Sequence, residues 1–387
     1  MHIALLTPEF PHAKVEHAAG IGTSIKNLAT SLVKKGVSVS VFVYGQKTEE
    51  IIIENQIRIH LIKERKYSFL GWFFHRKYIQ KYCNAVIKKE SISVIEAPDW
   101  TGITAFMKFR IPLIIRFHGS DTYFCHLENR KQKLKNFWFE KWALNRAAAF
   151  IAPTSFAGNL SKKLFGINNK EIKTIHYGLE LQNFTNNSPT IYDKGLLLYV
   201  GTLIRKKGVL ELPQIFNQVR KEFPNLKLVL IGGDSYDIKT NSGSTWQLMQ
   251  SKFKDDDLRN VDYLGKIPYN EIEHYIKKAN VCVFPTFAET LGMVTIEAMA
   301  MQKAVVNSNI GWAQELIVDG ESGYLVHPAE HDLFANRITT LLKDESLCLK
   351  IGENARERVE AKFDINKIVQ ENIEFYRRII SKNLQPQ

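Results

Sequence analysis

The chain has 387 residues, 45% of them hydrophobic, with 52 Lys and Arg against 40 Asp and Glu and a formal net charge of +12. That length exceeds one ordinary core and suits two α/β domains with a cleft between them. No apolar run approaches a bilayer span, and the opening MHIALLTPEF lacks the basic region and cleavage signal of a secretory peptide, so the expected compartment is the cytoplasm.

The charge is unevenly divided. Residues 1–190 hold 27 Lys and Arg against 14 Asp and Glu, whereas residues 191–387 hold 25 against 26. Such asymmetry points to a first domain that faces something anionic, or simply to a solvated basic face. The four cysteines, Cys83, Cys125, Cys282 and Cys348, have no CxxC spacing and lie in apolar or helical patterns, which favours packing over metal or redox roles.

Along the chain, HIALLT reads as a strand and PEFPHAKVEHAAGIG as a loop. TSIKNLATSLVKKG reads as a helix, with Ile25, Leu28, Ala29, Leu32 and Val33 at helical spacing and Gly36 as its stop. VSVSVFVYG, SVIEAP and PLIIRFHG are further strands with helical segments between them, the grammar of a parallel sheet. The polar stretch LELQNFTNNSPTIYDKG has no apolar period and suits a linker. The βα pattern then restarts with GLLLYVGTL, the helix KGVLELPQIFNQVRKEF, and the strands LKLVLIGG, VDYLGKI, ANVCVFPT and KAVVNSN. A last helix begins near Asp364. The expected domains are 1–184, a linker over 185–195, 196–362, and a C-terminal helix and tail over 363–387.

Doubly wound sheets bind ligands beyond the carboxyl ends of their strands, so the strand-to-loop corners carry the functional signal. In AGIGTSI, Gly20 and Gly22 precede a helix start, where free amides and the dipole favour phosphate, although the same residues could merely begin the helix. In RFHGSD, His118 follows a strand and can reach a carbonyl, phosphate or sugar hydroxyl; a lone histidine can equally be structural, and Arg116 and Asp121 could simply pair with each other. YVGTLIRKKGVLEL sets Arg205, Lys206 and Lys207 before Gly208 and an expected helix N-terminus, an anion site by charge and dipole but not a Walker A loop.

The richest corner is PTFAETLGMVTIEAMAMQKAVV. Glu289 falls in the loop after a strand, Gly292 near a helix start, and Glu297 a turn into the helix. The amides around Leu291, Gly292, Met293 and Val294 would face a phosphate, and the two carboxylates could accept hydrogen bonds from a ribose and a neighbouring sugar. The alternative is a capping Glu289 and a solvent-facing Glu297. The apolar neighbours Ile296, Ala298, Met299 and Ala300 make an unpartnered Glu297 costly.

This Glu-x7-Glu stretch, followed by AVVNSNIGWAQELIVDGESGYLVHP, closely resembles the C-terminal signature of family 4 retaining glycosyltransferases of the GT-B fold. The resemblance covers nearly the whole chain, with GIGTSIKNLATSLVKKGVSVSVFVYG, HGSD, IHYGLELQNF and VGTLIRKKGV in order. It implies an α/β protein of two Rossmann-like domains facing across a cleft, with the C-terminal helix packing back on the first. It further implies that Glu297 binds the nucleotide ribose, Glu289 the donor sugar, and Lys207 with a nearby Arg the diphosphate. His118 would lie near the transferred sugar, Gly20 would let the first domain approach the donor, and Gly265 with Lys266 would frame the base. Thr202 stands where the family often has Arg, so Arg205 is the substitute; Ala19 and Gln302 replace common glycines.

The resulting expectation is a retaining, metal-independent transfer of sugar from a nucleoside diphosphate to an acceptor hydroxyl, with no cofactor, in cell-surface polysaccharide or glycolipid synthesis. The alternatives are a sugar-nucleotide epimerase or hydrolase on the same fold and a non-enzymatic basic module for membrane or nucleic acid; the Glu-x7-Glu corner would have no purpose in the latter, and no nucleic acid is expected. Residues 69–82 (FLGWFFHRKYIQKY) and 130–144 (RKQKLKNFWFEKWAL) interleave aromatics with Lys and Arg, which suggests a peripheral contact with an anionic membrane and a glycan or lipid-linked acceptor. The same aromatics, Trp72, Phe73, Trp138 and Trp142, could instead be the core stripes of amphipathic helices.

Overall fold

The structure, a computed structural model, describes residues 1–18 and 20–384. Two units are distinct: Met1–Glu180 with the segment from Ile365 onward, and Leu181–Asp364. Ala19 and the last three residues of the expected tail lie outside the described residues.

The first unit is built on eight strands: β1 His2–Thr7, β2 Ser38–Gln46, β3 Glu50–Glu54, β4 Ile57–Lys63, β5 Val94–Pro98, β6 Leu113–Arg116, β7 Ala149–Ala152 and β8 Ile172–Thr174. Their order is β3-β4-β2-β1-β5-β6-β7-β8. All neighbours run parallel except β3 and β4. Alternation along β1 divides the core: Ile3 and Leu5 join one buried cluster, Ala4 and Leu6 the other. A sheet buried on both faces must carry such near-continuous apolar strands. The first cluster includes Ile25, Leu28 and Leu32 of helix Gly20–Lys34 and Ile368, Ile373 and Tyr376 of helix Ile365–Leu384. The C-terminal helix thus packs back on the first unit.

That helix is tied down by a buried polar knot as well as by apolar contact. Arg116 at the end of β6 forms a two-pronged ion pair with Glu96 of β5, at 2.7 and 2.9 Å. Asn372 accepts from Arg116 at 2.6 Å, and the Tyr376 hydroxyl donates to Glu96 at 2.6 Å. Arg116 therefore does not pair with Asp121, which instead takes Arg130 at 3.2 Å and Asn136 at 3.0 Å.

The second unit has six strands: β9 Leu196–Val200, β10 Lys227–Ile231, β11 Val261–Tyr263, β12 Val281–Phe284, β13 Ala304–Ser308 and β14 Tyr324–Val326. The order is β11-β10-β9-β12-β13-β14, all parallel. Adjacent β9 and β12 are the topological switch point, and the loops beyond their carboxyl ends are where a doubly wound sheet places ligands. Residues 185–195, expected to be a linker, belong to this unit: Asn186 donates to the Met301 carbonyl at 3.1 Å, and the Asp193 amide to the Lys278 carbonyl at 2.9 Å.

Two helix starts differ from the expectation. Helix Gly20–Lys34 already includes both glycines in its first turn. After β9, residues Arg205–Lys207 form a single 3-10 turn, Gly208 has φ 67°, and the α-helix begins only at Leu212, with Pro213 in the first turn, where its missing N–H costs nothing. Lys207 is therefore not beside a helix N-terminus. All four cysteines are buried free thiols.

Candidate active site

The corners after β9 and β12 meet closely. The amides of Phe287 and Ala288 donate to the Lys206 carbonyl at 2.9 and 3.1 Å. A Cβ at Gly208 would sit 1.6 Å from the Pro285 carbonyl oxygen, so only glycine allows this approach. Across the junction the Lys207 ammonium donates to the Glu289 carboxylate. The Thr290 amide caps the same carboxylate at 2.9 Å. Burial alone would raise the Glu289 pKa, but the Lys207 charge overcomes it and holds the group below the usual range.

Gly292, at φ 92°, precedes helix Met293–Ala300 without any side-chain cap. The first-turn amides, those of Met293 and Val294 among them, have no acceptor within the helix by its geometry. Leu291 is buried while Gly292, Met293 and Val294 are half-buried. One turn further, Glu297 is only 4% exposed, not solvent-facing. The Tyr269 hydroxyl donates to its Oε1 at 2.6 Å. Burial pushes the Glu297 carboxyl up to about 7, the Tyr269 bond only partly opposing it.

Arg205 is committed elsewhere: its Nε and Nη2 reach Asp237 at 2.8 and 2.7 Å. Asp237 also accepts from the Thr240 amide and hydroxyl, and the Arg205 bond holds it down to about 2. Thr202 is exposed, and its carbonyl accepts the Tyr199 hydroxyl at 3.2 Å. Gly265 and Lys266 follow β11; the Gly265 carbonyl accepts the Gly232 amide at 2.8 Å, and Lys266 is exposed beside Gly233.

In the first unit, the loops after β1, β5 and β6 carry the remaining residues. The Gly22 amide donates to Glu9 at 2.9 Å, so the helix N-terminus already has a resident carboxylate, and a Cβ at Gly22 would stand 3.0 Å from the Glu9 carbonyl oxygen. A Cβ at Gly20 would meet nothing within 4 Å. His118 donates its amide to Asp99 at 2.8 Å, and its ring stacks on Tyr177, whose hydroxyl lies 2.7 Å from Nδ1. Burial, then the nearby Arg116 charge, lowers the His118 pKa to about 3, so the imidazole is neutral. Asp99 is buried and pushed up to about 7, with Oδ2 lacking a hydrogen-bond partner.

The structure thus brings Lys207, Glu289, Gly292 and the amides before Glu297 together, and separates Arg205 from them by its own ion pair. Sequence reasoning missed Asp99, Tyr177, Asp237 and Tyr269. Asp99 follows a strand in APDW and the corner rule could have found it, and Tyr177 lies within IHYGLELQNF, a stretch that carries the resemblance; Tyr269 and Asp237 lie in stretches with no signal of their own. A cavity of about 600 Å³ lies at the amino ends of β5 to β7, lined by Lys108, Arg110 and Arg146, and contains none of these residues. Among the described residues no group of three or more His, Cys, Asp or Glu could hold a metal ion, and no helix is long and apolar enough to cross a membrane.

Comparison with known proteins divides the chain as its units do. Residues 18–183 match the family described as Glycosyltransferase Family 4, and residues 182–358 match Glycosyl transferases group 1. The capsular polysaccharide biosynthesis glycosyltransferase CapM of Staphylococcus aureus is 34% identical over 182 residues, 47% of this chain and 45% of that protein. The chain therefore spans less than half of that relative in the matched region. Sucrose-phosphate synthase from Thermosynechococcus elongatus superposes with a TM-score of 0.80 at 22% identity, over 98% of this chain and 99% of the other. Anabaena HepE, solved with UDP, superposes with a TM-score of 0.74 at 18% identity, over 98% and 100%.

Proposed function

Because the chain belongs to the family 4 glycosyltransferases of the GT-B fold, we propose that it moves a sugar from a nucleoside-diphosphate sugar to an acceptor hydroxyl, with retention at the anomeric carbon. The observation that carries this reading is the junction of the β9 and β12 corners, where Lys207, Glu289, the uncapped start of helix Met293–Ala300 and buried Glu297 converge. UDP in the structure of HepE supports a nucleoside diphosphate as a ligand of this fold.

In this reading the Lys207 ammonium turns from Glu289 to the diphosphate, freeing Glu289 to accept hydroxyls of the sugar. Glu297, oriented by Tyr269, takes the ribose diol. The anomeric carbon–oxygen bond to the diphosphate breaks as the bond to the acceptor oxygen forms on the same face, and the acceptor proton passes to the departing diphosphate. Lys207 and the helix amides meet the growing charge, which is where fixed donors accelerate a reaction most. Neutral His118 offers a hydrogen bond to the sugar without adding a charge. Arg205 holds its loop through Asp237. The transfer needs no metal, because the protein's own donors carry the leaving-group charge. The acceptor is a glycan or a lipid-linked sugar, and the name of CapM supports a place in cell-surface polysaccharide synthesis.

A calorimetric panel of nucleoside diphosphates, followed by NMR of the product formed from the binding donor, tests the proposal. Tight binding of one diphosphate, an axial-to-axial or equatorial-to-equatorial product, and a rate unchanged by EDTA are expected. Inversion, or release of free sugar as the sole product with acceptors present, would overturn it.

A further inference from the structure

The two basic aromatic segments are remote in sequence but form one surface of the first unit. Segment 69–82 lies in and before helix Gly71–Glu90, and segment 130–144 in and before helix Leu134–Arg146. Phe106 lies between them. Its ring centroid is 5.4 Å from Trp72 and 5.0 Å from Trp142, and Trp72 is 4.9 Å from Phe139. Trp138, 6.1 Å from Trp142, carries the network outward, and Phe69 and Leu134 on the same two segments are exposed. Phe69 is 72% exposed, Leu134 77% and Trp138 46%. Trp72 and Phe73 are half-buried, so the segments are part anchor and part surface, not simple core stripes.

The charge along these segments is predominantly positive, with Arg130 paired to Asp121 and Glu128 and Tyr78 bonded to Glu49. From Arg65 to Lys89 there are seven Lys and Arg and no acid; from Arg130 to Arg146 there are six and a single acid, Glu140. Glu140 is buried and spent on the Asp121 and Thr122 amides at 2.8 and 3.1 Å, so it presents no charge outward. The lysines stand among the rings: Lys135 lies 5.8 Å over Trp72, Lys141 5.9 Å over Trp138, and Lys77 5.6 Å over Phe73. Exposed rings that can enter a headgroup boundary, interleaved with flexible cations, match the chemistry of an anionic lipid surface. A protein partner of ordinary composition would leave several of these cations unpaired.

We propose that this face docks the protein peripherally on an anionic bilayer, with Phe69, Leu134 and Trp138 inserting and Lys131, Lys133 and Lys135 meeting the headgroups. The inference stands apart from the donor-site reading, since none of these residues belongs to that site. It places the first unit at the surface where a lipid-linked acceptor would be found.

The test is co-sedimentation of the full chain with phosphatidylcholine vesicles with and without phosphatidylglycerol. Binding should require the anionic lipid and fall as salt rises from about 0.1 to 1 M and the screening length contracts from about 10 to about 3 Å. Two sets of exposed substitutions, Lys131→Glu with Lys133→Glu and Lys135→Glu, and Phe69→Ser with Leu134→Ser, should each weaken it at least about tenfold. Nucleoside-diphosphate affinity and the melting temperature of both variants should stay at the wild-type level. Equal binding to neutral and anionic vesicles, or none to either, overturns the proposal. So does a solution dimer that the Phe69→Ser, Leu134→Ser variant dissociates, since the face would then meet a second copy.

Discussion

The Tyr269 hydroxyl donates to Glu297 Oε1 at 2.6 Å and the carboxyl is itself buried, which makes it both oriented and hard to ionise. Above about pH 7, where Glu297 is ionised, replacing it with Gln keeps the Tyr269 bond but removes a charged acceptor. Nucleoside-diphosphate binding should weaken by roughly 1.5–3 kcal/mol, while turnover at saturating donor changes less, because a ribose contact is equal in ground and transition states. Calorimetry and initial rates check it, and unaltered affinity would reject the ribose role.

The same group shapes the pH dependence of stability. Folded Glu297 keeps its proton to about pH 7, whereas the unfolded carboxyl releases it near its ordinary 4.5. The unfolded chain then binds fewer protons, so stability falls as pH rises from about 4.5 to 7 and stays low above that. Glu297→Gln should lose this part of the slope, a difference of up to about 3 kcal/mol between pH 4.5 and 8. Urea melts of both proteins across that range decide it; parallel curves would contradict the buried, proton-holding carboxyl.

Lys207 and Arg205 should respond oppositely to truncation. Lys207→Ala should lower turnover about a hundredfold or more, the scale for a donor that meets charge developing on a leaving group. Arg205→Ala should act mainly on stability, because both of its forks are bound to Asp237. Turnover that survives the first change and collapses with the second would move the diphosphate contact to Arg205.

His118→Ala should impair transfer while leaving affinity for the free nucleoside diphosphate nearly intact. With its pKa at about 3, the wild-type ring stays neutral across pH 5–9, so no inflection near 6.5 should come from it in the rate profile. Equal loss of nucleotide binding and stability would mark His118 as purely structural.

Arg116→Ala should cost about 3–5 kcal/mol, because it leaves Glu96 buried without its counter-charge and frees one anchor of the C-terminal helix. Denaturant unfolding measures it. Changing Arg116 and Glu96 together to apolar residues should be milder than the single change, since no isolated charge then remains.

Much of the fold was legible because parallel strands buried on both faces must be short apolar runs, and eight of the fourteen strands among the described residues stand out that way. The hairpin of β3 and β4 was not. Its two-residue turn is Asn55–Gln56, at φ 49° and 65°, and Gln lacks the glycine signal by which such a turn is recognised. The late start of helix Leu212–Arg220 was hidden for the opposite reason: Gly208 looks like a helix opener, whereas it is there for its contact with Pro285.

What the sequence by itself determined was the two-unit α/β plan, the corner that carries Glu289 and Glu297, the cations after β9 and the basic aromatic segments, because periodicity and local spacing encode these. Only the tertiary structure decided which charges are spent and which surfaces remain open. Lys207 meets Glu289, Arg205 meets Asp237, Tyr269 reaches Glu297, and Trp72 joins Phe139. Each pair brings together residues from 28 to 82 positions apart. Desolvation and Coulomb energies depend on distance in space, which strand order and close backbone approach set and which no local stretch of sequence contains.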